Sequence, residues 1–209
     1  MNQTSILHKL HRVSACVIGA YVAVHLFNHG LVLRGVEAHI QFMESFRHIY
    51  RTPFVEGLLF VCIIFQIGSG VYFIKKRWRQ RHGFFERVQV ISGGYLVFFF
   101  LVHIGAVLFG RAVLGLDTNL YYAVAGMHVP YFQYFFVPYY FFAVAAFFGH
   151  IASAFYWLMR NRLSEVARNY FGYTILVAGI VFSTLIVATF AGVFYDIKIP
   201  QEYIETYQP

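Results

Sequence analysis

The sequence predicts an all-α integral membrane bundle of five transmembrane helices. Of its 209 residues, 59% are hydrophobic and only 12% are charged, whereas soluble domains are roughly 45–50% apolar. Five apolar runs each reach the roughly 20 residues that a helix needs to cross the hydrocarbon layer. We therefore expect a single transmembrane domain over residues 1–209, with spans at about 13–33, 54–74, 88–110, 134–158 and 172–195.

The segments between the spans complete this outline. The loop over 34–53 is polar, so we expect its His39 and His48 to be in solvent. The tyrosine-rich segment 111–133 is typical of an ordinary loop at the membrane interface. For residues 126–130 within it, the alternative is a lid that folds back over the outer end of the bundle. The fifth span contains only hydroxyl side chains as internal polar groups, which can bond to preceding carbonyls. We predict that it is a packing helix.

The first four spans predict two repeated helix pairs, spans 1 and 2 and spans 3 and 4, followed by the terminal helix. Ser14 leads after eleven residues to His25, and Ser92 leads after eleven residues to His103. A fixed order of small residue, aromatic residue and histidine is therefore repeated.

The second helices of the two pairs also match. Segments 66–72 and 150–156 have small residues in the same places, and Gln66 stands where the later copy has His150. A buried amide needs partners, so Gln66 either bonds to a neighbouring helix or faces a cofactor.

The lysines and arginines predict the orientation. Their distribution explains the net charge of +7 without a nucleic-acid groove, and the basic face could also receive anionic lipid or an acidic partner protein. Because cytoplasmic loops are enriched in these residues, we expect the N-terminus in the cytoplasm and the C-terminus outside. Eleven lie on the predicted inner side and five on the outer: Lys9, Arg12, Lys75, Lys76, Arg77, Arg79, Arg81, Arg87, Arg160, Arg162 and Arg168 against Arg34, Arg47, Arg51, Arg111 and Lys198.

Four histidines lie inside the spans, where ionisable residues are rare and point to function: His25, His29, His103 and His150. At about 1.5 Å per residue, His25 and His103 lie at a similar depth on helices that run in the same direction. Two imidazoles that face each other can hold one haem b in the core of a bundle.

Two alternatives remain open. His25 and His29, four residues apart, can chelate one zinc, copper or iron ion, with His103 as the third ligand. One or two ions held by these residues and His150 would suit an oxidase or hydroxylase. Alternatively, the histidines only bond between the helices of a membrane scaffold.

The opening His11-Arg12-Val13-Ser14-Ala15 resembles the H-R-x-S-G motif of the membrane-anchor cytochrome b subunits of succinate dehydrogenase and fumarate reductase. The five-span layout is similar as well. The resemblance implies haem b ligated by His25 and His103, and quinone contact by Arg12 and Ser14. The family's second haem would fall on Gln66 and His150, and glutamine is a poor ligand for iron.

The resemblance implies electron transfer to or from a quinone, as the anchor of a dehydrogenase complex or as a stand-alone relay in a bacterial inner membrane. The chain has no G-x-G-x-x-G segment and no cysteine cluster. Any flavoprotein and iron–sulfur subunits would therefore be partners on the cytoplasmic face.

Overall fold

A computed structural model of the chain describes residues 3–77 and 83–208. Its structure is 83% helical, and the described residues form no strand. Within these ranges, five helices are long and apolar enough to span a membrane, which confirms the predicted fold class. Arg79 and Arg81 of the basic inner loop lie outside the described residues.

The helices are longer than the predicted spans, because their polar ends continue beyond the apolar runs. The helix of the fifth span both begins and ends earlier than predicted, since Ser164 caps its start and Gly192, at a φ of 79°, follows its end. The helices are α1 (Gln3–Leu31), α2 (Val36–Tyr50), α3 (Pro53–Arg77), α4 (Phe84–Ala112), α5 (Leu120–Val124), α6 (Gln133–Leu158), α7 (Glu165–Phe190) and α8 (Gln201–Ile204).

The chain forms two compact units, residues 1–78 and 79–209. The predicted helix pairs fall one in each unit: α1 with α3 in the first and α4 with α6 in the second. That the two units form one transmembrane domain stays a prediction.

In the first unit, α1 and α3 run antiparallel. His8 stacks on Phe73 at 4.3 Å between ring centroids, and His11 hydrogen bonds to Ser69 at 2.7 Å. Positions therefore rise along α3 as they fall along α1. The pairing brings polar groups of both helices together inside apolar surroundings.

The polar loop predicted over 34–53 is instead the helix α2, which packs back along α1. Tyr21 of α1 contacts Phe46 and Tyr50 of α2. Gly35, at a φ of 118°, makes the turn into α2, a conformation that favours glycine. The expectation that His39 is in solvent was wrong: its side chain is 2% exposed because it lies on the face of α2 that covers α1.

In the second unit, α6 runs antiparallel to both α4 and α7. Tyr95 of α4 donates to the Tyr139 carbonyl at 2.9 Å, and Ser183 of α7 donates to the Phe141 carbonyl at 2.7 Å. Gly172 of α7 allows a close approach, since a Cβ there would lie 2.5 Å from Phe85. The packing role predicted for the fifth span is confirmed.

The segment after α4 folds back onto the second unit, so an ordinary interfacial loop was the wrong choice between the two alternatives. Tyr122 donates to the Ala106 carbonyl at 2.7 Å, and His128 Nε2 donates to the Phe190 carbonyl at 2.7 Å. The C-terminal segment joins it, because the Asn119 amide donates to the hydroxyl of the buried Tyr203 at 3.1 Å.

Candidate functional site

The imidazole of His25 is oriented by contacts within α1. Tyr21, one turn earlier, stacks on it with 5.6 Å between centroids and 15° between planes. On the other side, His25 Nε2 lies 3.0 Å from His29 Nε2, within hydrogen-bond distance. Two of the histidines predicted to carry function are therefore in direct contact.

His103 has the same arrangement in the second unit. Phe99, again one turn earlier on α4, stacks on the imidazole with 4.9 Å between centroids and 14° between planes. Tyr21 and Phe99 are 78 residues apart, as are His25 and His103. The sequence repeat thus extends to the orientation of these two rings. Whether they face each other across one iron stays a prediction.

Three histidines of the first unit form a series. His29 uses both ring nitrogens: Nε2 faces His25, and Nδ1 lies 3.2 Å from His39 Nε2. Asn28 also contacts this nitrogen, at 3.3 Å from Nδ2. Because opposite nitrogens of His29 meet the two neighbours, the three rings lie in line and do not converge on a common point.

Gln66 bonds across the helices of the first pair, as one of the two readings of this residue predicted. Its Nε2 donates to the His11 carbonyl at 2.9 Å, and the Ser14 hydroxyl donates to the same carbonyl at 3.2 Å. The His11 ring binds back to α3: the hydroxyl proton of Ser69 goes to the Phe65 carbonyl at 2.6 Å, so His11 Nδ1 donates to Ser69 Oγ at 2.7 Å.

His150 makes the equivalent contacts in the second pair. It hydrogen bonds to the backbone of Gln89, which stands 78 residues after His11. Its Nδ1 also lies 3.3 Å from Ser92 Oγ, whose own proton goes to the Gln89 carbonyl at 3.3 Å. These contacts hold the Nδ1 side of the His150 ring against α4. Metal-binding histidines commonly have this second-nitrogen hydrogen bond.

The residues carried over for quinone contact differ in exposure. Arg12 is exposed near the start of α1, whereas Ser14 is buried. The Ser14 hydroxyl donates to the carbonyls of Leu10 and His11 on its own helix, at 2.9 and 3.2 Å. In this arrangement its proton is used within α1, and only the oxygen is left to accept from a ligand.

His39 and Asn28 were missed as site residues. The signal for His39 was its spacing in α2, since it shares one helical stripe with Met43, Phe46 and Tyr50. Burial, together with the positive charge of Arg47, lowers the pKa of His39 to about 4. The ring is therefore neutral at physiological pH and carries a single proton.

The described residues within each unit hold no group of three His, Cys, Asp or Glu side chains arranged to bind a metal ion. A haem requires fewer protein ligands, because two axial imidazoles suffice and the macrocycle supplies the other four nitrogens. Comparison with protein-family models, with curated proteins and with solved structures finds no match for this chain.

Proposed function

We propose that this chain is a membrane b-type cytochrome that passes electrons to or from a quinone, with haem b held by His25 and His103. The observation that carries the proposal is the repeated stacking of an aromatic ring on each imidazole, Tyr21 on His25 and Phe99 on His103. A stacked ring fixes the plane of an imidazole, and an axial ligand needs a fixed plane.

The surrounding residues fit this cofactor in chemistry. The candidate ligands are imidazoles on long apolar helices, and the described part of the chain offers no three-ligand metal group within either unit. When bound between two imidazoles, haem iron supplies one-electron transfer. For His25 to offer Nε2 to iron, its ring has to leave the hydrogen bond to His29.

The ligand positions for a second haem would be Gln66 and His150. His150 is held against α4 through Nδ1, but Gln66 of the first pair offers an amide, and its NH₂ group is already bonded to the His11 carbonyl. We propose one haem, ligated by His25 and His103. A haem at His150 would have a single protein ligand.

Charge supports a cytoplasmic N-terminus. In the first unit, the start of α1 and the end of α3 are adjacent and expose Lys9, Arg12, Lys75 and Lys76. In the second unit, the start of α4 exposes Arg87, and the end of α6 is followed by exposed Arg160 and Arg162. Each unit thus has one basic end, which suits the cytoplasmic side of a bacterial inner membrane. Such a surface could receive flavoprotein and iron–sulfur subunits.

The test is a reduced-minus-oxidised spectrum of the protein purified in detergent. We expect sharp b-type bands in the wild type, their loss in His25→Ala and His103→Ala, and their retention in His48→Ala, which changes an exposed histidine of α2. A colourless wild type, or bands that survive both ligand substitutions, would contradict the proposal. Oxidation of the reduced protein by an added quinone tests the proposed electron transfer to a quinone.

The close pair of nitrogens on His25 and His29 favours a second candidate, an integral-membrane metalloprotein with a zinc, copper or iron ion. Helical histidines four residues apart are a common chelating pair. Elemental analysis separates the two candidates: a colourless protein that holds one of these ions in stoichiometric amount, and loses it in His29→Ala, supports the second.

A further inference from the structure

One arginine at the basic end of the second unit is held differently from its neighbours. Arg160 and Arg162, in the turn between α6 and α7, are exposed, whereas Arg168 of α7 is partly buried. The Cζ atom of Arg168 lies over the ring of Tyr156 at 4.4 Å from the centroid, and Nη1 donates to the Tyr156 carbonyl at 3.4 Å. The end of α6 therefore fixes the position of this guanidinium.

The protein uses little of the hydrogen-bonding capacity of Arg168. A guanidinium has five N–H donors, and Nε of Arg168 is buried with no hydrogen-bond partner among the described residues. Over the same part of the chain, no carboxylate forms an ion pair with Arg168. A guanidinium that is fixed in place and has no acidic partner in its own chain is suited to bind an anion.

The backbone adds to the positive potential at this position. Arg168 is the fourth residue of α7, and the first turn of a helix carries a partial positive charge that disfavours a cation. An anion beside Arg168 would neutralise both charges. Phosphate groups are common ligands of arginine and of helix N-termini.

Apolar side chains next to Arg168 favour a lipid over a soluble anion or an acidic protein. Phe171, one turn later on α7, is 46% exposed and lies edge-on to Phe155 of α6 with 5.9 Å between ring centroids. Leu158, at the end of α6, is 54% exposed. Both helices thus present apolar surface beside the guanidinium, and basic groups at the cytoplasmic ends of transmembrane helices bind anionic headgroups.

We propose that Arg168 binds the phosphate of an anionic lipid headgroup where α6 ends and α7 begins. The guanidinium donates to a phosphate oxygen, Arg160 and Arg162 add positive charge nearby, and the acyl chains lie along the apolar surface that includes Phe171. This lipid site lies within the second unit. It requires neither haem nor a quinone.

Trp157 can report on this site. Its ring lies edge-on to that of Tyr156 with 5.4 Å between centroids, and Trp78→Phe leaves it as the only tryptophan. Protein with this change is reconstituted into phosphatidylcholine vesicles that contain increasing fractions of phosphatidylglycerol with brominated acyl chains, which quench tryptophan on contact. A second series uses brominated phosphatidylcholine. We expect half-maximal quenching at an about tenfold lower fraction of the brominated phosphatidylglycerol, the equivalent of one charge-assisted hydrogen bond.

Two variants separate Arg168 from the general charge of the surface. Arg168→Gln should reduce the preference for phosphatidylglycerol to about twofold or less. Arg162→Gln removes the same charge at an exposed position of the neighbouring turn and should keep more than half of the preference. Brominated phosphatidylcholine should quench all forms alike, which checks that each folds in the bilayer. A preference that survives in Arg168→Gln, or an equal loss in Arg162→Gln, overturns the inference.

A competition that needs no variant at Arg168 distinguishes a lipid headgroup from free phosphate. Inorganic phosphate replaces chloride at constant ionic strength, and we expect the preference for phosphatidylglycerol to remain, because the acyl chains also hold the lipid. Its loss would mean that the site takes free phosphate, and overturns the lipid assignment. Equal quenching by the two lipids without added phosphate also overturns the inference, and leaves the basic end to an acidic protein surface.

The outcome is distinguishable from that of the proposed function. A colourless protein that prefers phosphatidylglycerol through Arg168 overturns the cytochrome proposal alone. A protein with b-type bands and no such preference overturns the lipid site alone.

Discussion

The two helix pairs make the same contact with different chemistry. In the first pair, Gln66 of α3 bonds to the carbonyl of His11 on α1; in the second, His150 of α6 bonds to the backbone of Gln89 on α4. The positions match in the sequence repeat, so the repeat preserved a contact while the residue that makes it changed. An amide can only complete the hydrogen bond, whereas an imidazole completes it and keeps a lone pair on its other nitrogen.

A neighbouring position compensates for the difference in size. Ala15 of the first pair corresponds to Gly93 of the second, 78 residues later. A Cβ at Gly93 would lie 3.3 Å from Cε1 of His150, closer than ordinary contact. Glycine therefore makes room for the larger ring, and alanine is tolerated where the partner is Gln66.

The segments that fold over the two units also differ. The first unit is covered by α2, which buries the neutral His39 against α1. The second is covered by α5 and the C-terminal segment, where burial raises the pKa of Tyr207 to about 12. The helix that covers the first unit therefore contains a group, His39, that takes up a proton in mild acid. The phenol of Tyr207 in the second unit stays neutral in acid.

The largest expected effect is a loss of stability of the first unit in acid. The pKa of His39 is lowered from 6.5 to about 4, so between these values the unfolded chain binds a proton that the folded unit does not. This stability is fully present above the unfolded pKa, and we expect a loss of about 3 kcal/mol as the pH falls from about 7 to about 4. Arg47 is the charged group that also disfavours protonation of this ring.

Hydrogen exchange of the α2 backbone amides at the two pH values measures this loss. In His39→Gln the acid-induced increase should disappear. The amides of α5 serve as the comparison, because α5 belongs to the segment that covers the second unit. Equal acid sensitivity of α2 and α5 would contradict the prediction.

The next effect tests the space beside His150. We expect Gly93→Val to destabilise the second unit by about 2 kcal/mol, because the added methyl groups displace the imidazole from Ser92. Unfolding in mixed detergent micelles measures the change. Gly94→Val is the matched control, since nothing lies within 4 Å of a Cβ there; an equal loss in both variants would show that crowding of His150 is not the cause.

A smaller effect is expected at the serines that occupy equivalent positions on α3 and α6. Ser69→Ala removes the acceptor of His11 Nδ1, and should cost about 1.5 kcal/mol. Ser153 donates only to the Gly149 carbonyl of its own helix at 2.9 Å, so Ser153→Ala should cost under about 0.5 kcal/mol. The same micelle unfolding compares them, and a larger cost at Ser153 would reverse the comparison.

The effect expected at Gln66 is smaller than the one at Ser69. We expect Gln66→Leu to cost about 0.6 kcal/mol, because Ser14 still donates to the His11 carbonyl. The double variant with Ser14→Ala removes both donors, so its cost should exceed the sum of the two single costs. Simple additivity, measured by the same unfolding assay, would show that the two donors do not share this carbonyl.

The sequence alone determined the architecture and most of the candidate site. Apolar runs of sufficient length have to be helices in lipid, since the hydrocarbon layer offers no partner for backbone groups, and the spacing of Ser14, His25 and their counterparts revealed the pairs. The helix contact of Gln66 was also predictable, because a buried amide needs a partner.

The tertiary structure decided where the polar segments go. His39 lies in a segment of mixed composition, and hydropathy cannot distinguish a solvated loop from a helix that packs one face on α1. The stacking of Tyr21 and Phe99 and the contacts within the histidine series depend on ring orientation, which neighbours fix and sequence does not encode locally. The apolar composition determined which helices can span a membrane. The contacts between side chains determined which partners each imidazole has.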